Sequence, residues 1–157
     1  MRHNGWRFLE LGRRIERGIG ISTATRFLAG GDVRNGRLEA LLELADSQIM
    51  YRIRYEIAPA PVPVTDLVLL DAGNPRALAF QADRIRLSLE NLPGHAPGGM
   101  LAPPDRLATL LLAELGTVDA AALDAGKILS YERRLMQISD EIAQLYFTHR
   151  RPAPPAG

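Results

Sequence analysis

Two segments of the sequence hold residue types that could bind an anion or accept a proton. The first, GWRFLELGRRIERG, spans residues 5–18 and contains Arg13 and Glu16. The second, ADSQIMYRIRY, spans residues 45–55, and its last turn holds four such residues: Tyr51, Arg52, Arg54 and Tyr55. Guanidinium groups form paired hydrogen bonds with carboxylates and phosphates, and a buried carboxylate can act as a general base. The residue types indicate an anion-binding site, with Glu16 as the candidate catalytic residue or metal ligand.

The second segment also fits an ordinary structural role. Arginines in the last turn of a helix interact favourably with its negative end, and the two tyrosines could simply pack against neighbouring side chains. Both interpretations of residues 45–55 remain open from the sequence.

The first segment is predicted to lie in a helix from about Gly5 to Ala29. The apolar stripe of this helix is formed by Phe8, Leu11, Ile15 and Ile19, and Glu10, Arg13, Arg14 and Arg17 lie on the other side. Glu16 flanks the stripe, and Gly12 in mid-helix indicates that a neighbouring helix approaches closely. A buried carboxylate needs a donor. We therefore expect Glu16 to point inward and to meet Arg52 or, failing that, Arg54 or Arg76.

The apolar spacing predicts further helices along the chain. One covers about 37–54, with a core stripe that includes Ala45 and Ile49 and continues to Arg52. Residues 58–64, APAPVPV, are predicted to be extended because prolines resist helix formation, and 65–71 form a short helix or turn. Asn74 and Pro75 have the residue types of a helix N-cap and first position.

The C-terminal part is predicted to form a Pro/Gly-rich loop and two helices. The loop covers residues 91–104, one helix runs from Pro104 to Gly116, and Asp119 caps a final helix to about Phe147. Since no segment alternates like a strand, we predict an all-α bundle of five to six helices without a sheet. Residues 1–149 are expected to form one domain, followed by a disordered tail at 150–157.

Composition excludes several function classes. The net charge is +1, which disfavours a nucleic-acid-binding protein, and the absence of cysteine excludes disulfides and thiolate zinc sites. No apolar run is long enough to span a membrane and no signal segment is present, so a cytoplasmic protein is expected.

The cofactor motifs that a helical protein could carry are missing as well. Residues 94–100, GHAPGGM, lack the Gly-Lys-Ser/Thr ending of a phosphate-binding loop. None of the three histidines has a glutamate three residues earlier, as a di-iron bundle requires: His3, His95 and His149. We therefore predict no metal and no cofactor.

Four motifs in order give the chain a resemblance to the Alpha-E family of helical bacterial proteins. They are GWRFLELGRRIERG, LLELADSQIMYRIRY, LVLLDAGNPRALAFQ and ISDEIAQLYFTH. The resemblance places the family's R-x-E-R glutamate at Glu16 and its Y-R-x-R-Y segment at the two tyrosines and two arginines of 51–55. Its N-P-R segment falls on Asn74, Pro75 and Arg76, so the resemblance adds Asn74 and Arg76 to the binding residues.

The chain departs from the family pattern in two residues and in length. Gly18 stands where an alanine is usual, and Met50 where a threonine is usual. Family domains are about twice as long, so the chain resembles a C-terminal half. We therefore expect an exposed apolar surface at Trp6, Phe8 and the apolar face of the last helix. Its partner would be an N-terminal-half protein or a second copy in a homo-oligomer.

The resemblance implies association with ATP-grasp-type ligases and transglutaminase-like peptidases, and hence with peptide or amide-bond metabolism. The leading hypothesis is a helical accessory domain that binds the ligase or its peptide-like substrate. The alternatives are an enzyme that uses a buried Glu/Arg site and a purely structural helical scaffold.

Overall fold

The computed structural model describes residues 4–30, 36–95 and 98–148. These ranges contain seven α-helices and no strand. The helices are α1 (Asn4–Leu28), α2 (Arg37–Leu44), α3 (Gln48–Tyr55), α4 (Pro61–Thr65), α5 (Leu78–Glu90), α6 (Pro103–Leu115) and α7 (Ala125–Tyr146). The predicted all-α fold is confirmed, and the additional helices come from two segments between residues 37 and 65.

Four long helices form the core of the bundle. α1 packs against α5 and α7, and α6 packs against the same two helices. The predicted stripe of α7 is confirmed, since Ile128, Tyr131, Leu135, Ile138 and Ile142 are all buried and Tyr146 is half-buried. The last helix therefore does not expose its apolar face, contrary to the expectation from chain length.

Gly18, and not Gly12, is the point of closest approach on α1. A Cβ atom at Gly18 would lie 3.0 Å from Leu135 Cδ1 and 3.3 Å from Leu78 Cδ1, whereas nothing lies within 4 Å of one at Gly12. The absence of a side chain at Gly18 lets α1 pack closely on α5 and α7. The prediction of a close approach at Gly12 was wrong.

The helix predicted over 37–54 is broken after Leu44. Asp46 has a left-handed backbone (φ 47°), and Ser47 is buried, where its Oγ donates to Ala45 O and accepts from Asn74 Nδ2. The break changes the helix phase, so Tyr51 becomes the buried residue of α3. Ile49 and Arg52, which were expected on the core stripe, are exposed.

The predicted extended segment at 58–64 was also partly wrong. Pro61 starts α4, where a proline needs no helical hydrogen bond, and a π-helical turn at Asp66–Leu70 follows directly. The buried residues of this turn, Leu67, Val68 and Leu69, attach the segment to the core.

The two predicted cap residues have other roles. Asn74 is fully buried, and α5 begins at Leu78, so Asn74 is not its N-cap. The Asn74 amide instead donates to Leu67 O and Ser47 Oγ, and its Oδ1 accepts from Arg76 N. Asp119 caps a short 3-10 turn at Ala120–Ala122, and Asp124 caps α7.

The predicted tail at 150–157 lies outside the described residues. Within the described ranges, no helix combines the length and the apolar character needed to cross a membrane. The predicted loop between α5 and α6 is confirmed apart from residues 96–97, which the structure does not describe.

Candidate functional site

Glu16 is exposed, so the prediction that it points inward was wrong. The buried residues of α1 are Leu11, Ile15, Gly18, Ile21, Ser22 and Thr25. At 100° per residue, Glu16 lies nearly opposite the centre of this face. The predicted stripe was misplaced because two small polar residues occupy the core side. The hydroxyls of Ser22 and Thr25 donate to Gly18 O and Ile21 O of the same helix, so both can be buried.

The buried carboxylate of the bundle belongs to Glu132 on α7, which is 3% exposed. Arg26 of α1 binds it with both ends of its fork, Nε to Oε1 at 2.8 Å and Nη2 to Oε2 at 3.1 Å. The hydrogen bonds to Glu132 raise the pKa of the Arg26 guanidinium, against the opposing effect of burial. The sequence held a signal for this pair, since Glu132 lies one turn after Ile128 and one turn before Leu135, at the flank of the predicted stripe of the last helix.

Two of the arginines that were expected as partners of Glu16, Arg54 and Arg76, are paired with aspartates instead. Arg54 Nη1 lies 2.5 Å from Asp71 Oδ2, and Arg76 Nη2 lies 2.8 Å from Asp46 Oδ2. These pairs join α3 and the preceding break to the turn before α5. They bring together two of the motifs that the resemblance marks, as a polar framework around the buried Asn74.

The two tyrosines of α3 are anchored by hydrogen bonds. Tyr55 donates to Asp66 Oδ2 at 2.9 Å, and burial together with this bond raises the pKa of Tyr55 to about 12. The Tyr51 hydroxyl donates to Ala58 O and accepts from Ala60 N, both at 3.2 Å. Both hydroxyls therefore hold the chain on the C-terminal side of α3.

Arg52 lies at the edge of a groove of about 250 Å³ beside α3. The groove is lined by Glu39, Leu42, Gln48, Tyr51, Arg52, Ile57, Ala58 and Pro59. Arg52 was expected to continue the core stripe of its helix, but its side chain is exposed. Arg13 is exposed on α1 and lines neither this groove nor the pocket described next.

A second pocket brings α1 and the turn before α5 together. It has a volume of about 270 Å³ and is lined by Arg17, Gly20, Ile21, Ala24, Leu44, Ala45, Pro75, Arg76 and Gln81. Gln81 is buried, donates from Nε2 to Pro75 O at 2.7 Å and accepts from Arg14 Nη1 at 3.3 Å. Its amide thereby fixes the turn against α1, with Arg76 on the pocket wall.

Arg17 is the second arginine of this pocket, and it was not among the predicted binding residues. It is exposed, and it forms no ion pair with another described residue. Arg14, by contrast, is held by Glu10 at 2.8 Å as well as by Gln81. Only the folded chain shows that Arg17 and Arg76, 59 positions apart in the numbering, line the same pocket.

The pocket combines two guanidinium groups with an apolar wall of Ile21, Ala24, Leu44 and Ala45. Such a surface can bind a carboxylate or phosphate that is attached to an apolar group. No carboxylate lines the pocket, so its described residues include no general base. Within the described ranges, no group of three or more His, Asp and Glu side chains could hold a metal ion.

Comparison with known proteins places these motifs in a family. The profile of the Alpha-E family, described as a predicted alpha-helical domain with a conserved ER motif, matches residues 1–147. The chain has two Glu-Arg pairs in this range, at 16–17 and 132–133. No solved structure gives a significant match.

Three curated proteins described as uncharacterised are similar to part of the chain. One is from Mycobacterium bovis and two are from strains of Mycobacterium tuberculosis. Each is 38% identical over 97 residues, which is 59% of this chain but only 11% of the relative's length. The family profile, in contrast, covers nearly the whole chain, and on that match the chain belongs to the Alpha-E family.

Proposed function

We propose that this protein is a helical accessory domain that binds the carboxylate of a peptide-like ligand in the pocket between α1 and the turn before α5. The observation that supports it is the position of Arg17, which is unpaired within the described chain and faces the same pocket as Arg76. Unlike Arg26 and Arg54, Arg17 is not held by a carboxylate of the described chain, so its guanidinium is available to a ligand in the pocket.

The shape of the pocket favours an amphiphilic ligand over a bare ion. The arginines supply donors for an anionic group, and the apolar wall between them can cover a neighbouring side chain of the ligand. Asp46 pairs with Arg76 at the surface, where both side chains are more than half exposed, so a ligand carboxylate could displace it at small cost. A C-terminal dipeptide has both features that the pocket requires.

The partner in this proposal is an ATP-grasp-type ligase, which forms amide bonds from carboxylates. Support for the ligase comes from the family resemblance, and support for carboxylate binding comes from the pocket. The domain would present a peptide end to the ligase and would not catalyse the reaction itself, since no carboxylate or histidine lines the pocket to serve as a general acid or base.

Calorimetric titration with an N-acetyl dipeptide tests the binding step. We expect the free acid to bind and its C-terminal amide not to bind. Arg17→Gln and Arg76→Gln should each weaken binding about tenfold, a loss of about 1.4 kcal/mol. Arg133→Gln is the matched control, because Arg133 is also exposed but lies on α7 away from the pocket. Equal affinity for acid and amide would contradict the proposal.

Co-purification with the ligase, with and without nucleotide, tests the partnership separately. Retention of the ligase by the wild-type chain would support the accessory role. A chain that retains no ligase and binds no dipeptide would leave the structural scaffold as the better account.

A further inference from the structure

One face of α1 lies outside the bundle and has the spacing of a helix-pairing surface. We call it the outward stripe: Leu9, Arg13, Glu16, Gly20, Thr23 and Phe27. The intervals of four, three, four, three and four residues are those of a coiled-coil seam. Leu9 is 52% exposed and Phe27 59%, although α1 packs on its other side against α5 and α7. The stripe therefore has large apolar residues at its two ends and charges near its centre.

Two glycines on or beside the stripe have no explanation within one chain. Gly12 and Gly20 lie inside α1, where glycine weakens a helix. A Cβ atom at either position would meet nothing within 4 Å, so no neighbour in the described fold requires their absence of a side chain. A second helix lying close along this face would provide such a reason.

The stripe is complementary to itself when two copies run antiparallel. With the two-fold axis at the level of Gly18, Leu9 of one copy lies opposite Phe27 of the other. The same register sets Glu16 against Gly20, where the missing side chain leaves room for the carboxylate. Arg17 precedes Gly20 by about one turn, so it can reach Glu16 of the other copy. Each pairing occurs twice, as an isologous dimer requires.

We infer that the outward stripe of α1 binds a second copy of this chain in antiparallel orientation, with Glu16 of each copy paired to Arg17 of the other. Gly20 also lines the pocket described above. The dimer would therefore place a carboxylate from the second copy at the rim of that pocket, and a ligand carboxylate would have to share Arg17 with it or displace it, as it would displace Asp46 from Arg76. This gives Glu16 a partner that the single chain does not supply.

A ridge on α3 is the competing surface for self-association. Ile49 and Ile53 of α3 are each 74% exposed, and Ile57, two residues after the end of the helix, is 57% exposed. This ridge is more apolar than the outward stripe, but α3 contains no glycine that would let a second helix approach closely. Self-association through this ridge is the alternative that the variants below distinguish.

Sedimentation equilibrium of charge-reversed variants tests the pairing. Glu16→Arg and Arg17→Glu should each raise the dissociation constant of the dimer at least tenfold, because each creates two like-charge contacts. An equimolar mixture of the two variants should dimerise again, and so should the double variant, because both restore opposite charges. Glu43→Arg, at an exposed glutamate of α2, is the control and should dimerise like the wild type.

Other results would overturn the inference. A wild-type chain that stays monomeric at the highest soluble concentration would do so, as would a Glu16→Arg variant that still dimerises. Dissociation by Ile53→Arg without an effect of Glu16→Arg would assign the interface to the α3 ridge instead. Circular dichroism of each variant checks that it is folded. A monomer that binds the dipeptide would refute this inference alone, and a dimer that does not bind it would refute the proposed function alone.

Discussion

Two Glu-Arg pairs lie on helices that pack against each other, Glu16–Arg17 on α1 and Glu132–Arg133 on α7. Glu16 is exposed, whereas Glu132 is 3% exposed and held by both ends of the Arg26 fork. The two dipeptides are identical, so composition does not decide their burial. Burial depends on where each glutamate lies around its helix relative to the buried face. Glu132 lies on the buried side of α7, where Arg26 of α1 is its partner.

Position around the helix also gives two arginines of α1, Arg26 and Arg17, different roles. Arg26 faces α7 and neutralises Glu132, so it belongs to the packing of the bundle. Arg17 lies nine positions earlier on another face and lines the pocket with Arg76. One helix thus carries a structural arginine toward its C-terminal end and a candidate binding arginine near its middle.

The largest expected effect is on the buried pair. Glu132→Ala should lower the free energy of unfolding by about 2–3 kcal/mol, below the upper range for broken buried pairs because Arg26 keeps a route to solvent. Arg26→Met should cost more, since it leaves the Glu132 carboxylate buried without a partner. Urea denaturation measures both values. A Glu132→Ala variant as stable as the wild type would show that the pair contributes nothing.

A smaller effect concerns Glu114, a half-exposed carboxylate between α6 and α7. Its hydrogen bond from Lys127 lowers its pKa below the ordinary value of 4.5, with a further contribution from Arg134, and burial opposes both. A lowered pKa in the folded state gives stability that is present above 4.5 and lost as the pH falls through the folded value. We expect Glu114→Gln to lose less stability than the wild type on acidification.

Melting temperatures between pH 6 and about pH 3 measure this dependence. Lys127→Met should reduce the acid sensitivity in the same direction, because it removes the main cause of the lowered pKa. Parallel curves for the wild type and Glu114→Gln would contradict the assignment.

Substitution of Tyr131 is expected to change the free energy of unfolding by a smaller amount, and to raise it rather than lower it. Its hydroxyl is buried without a hydrogen-bond partner in the described structure, and burial raises the pKa of Tyr131 to about 12. Tyr131→Phe removes an unpaired polar group and should raise stability at pH 7 by roughly 0.5–1 kcal/mol. Above pH 10 the wild type should lose stability toward the folded pKa, and the variant should lose less. Destabilisation by Tyr131→Phe at pH 7 would reveal a partner for the hydroxyl.

The smallest expected change in stability is at Glu16, the exposed glutamate of the Glu16–Arg17 dipeptide. Glu16→Ala should change the stability of the monomer by less than about 0.5 kcal/mol, as is usual for surface substitutions. Glu10→Ala removes a surface pair with Arg14 and should cost less than about 1 kcal/mol. Chemical denaturation at low protein concentration measures both. A loss at Glu16 comparable with that at Glu132 would contradict the outward placement.

The long helices could be predicted because their apolar residues repeat with the helical period. α1 runs from Asn4 to Leu28 against a predicted 5–29, and α7 ends at Tyr146 within one residue of the prediction. The break after Leu44 could not be predicted in this way. Ser47, which follows the left-handed Asp46 at the break, is held by a hydrogen bond from Asn74, and a tertiary contact of this kind leaves no local pattern in either segment.

The candidate site was predictable only in part. Asn74 and Arg76 were named from the resemblance, and Arg76 lines the pocket while Asn74 supports the turn. Glu16 was misplaced because Ser22 and Thr25 looked polar although they face the core. Arg17 could not be selected from spacing, since its role depends on where the turn before α5 lies against α1. Whether Arg13, Tyr51, Arg52, Arg54 and Tyr55 bind a ligand stays a prediction.

Thiol labelling tests the contrast between the two glutamates most directly, because the chain has no cysteine of its own. Glu16→Cys and Glu132→Cys each introduce a single thiol, whose reaction with a disulfide reagent is followed at low protein concentration, with the urea-unfolded chain as reference. The outward position of Glu16 predicts a rate close to the unfolded reference. The buried position of Glu132 predicts a rate at least about a hundredfold slower, limited by opening of the fold. Equal rates for the two thiols, or faster labelling at position 132, would contradict the account.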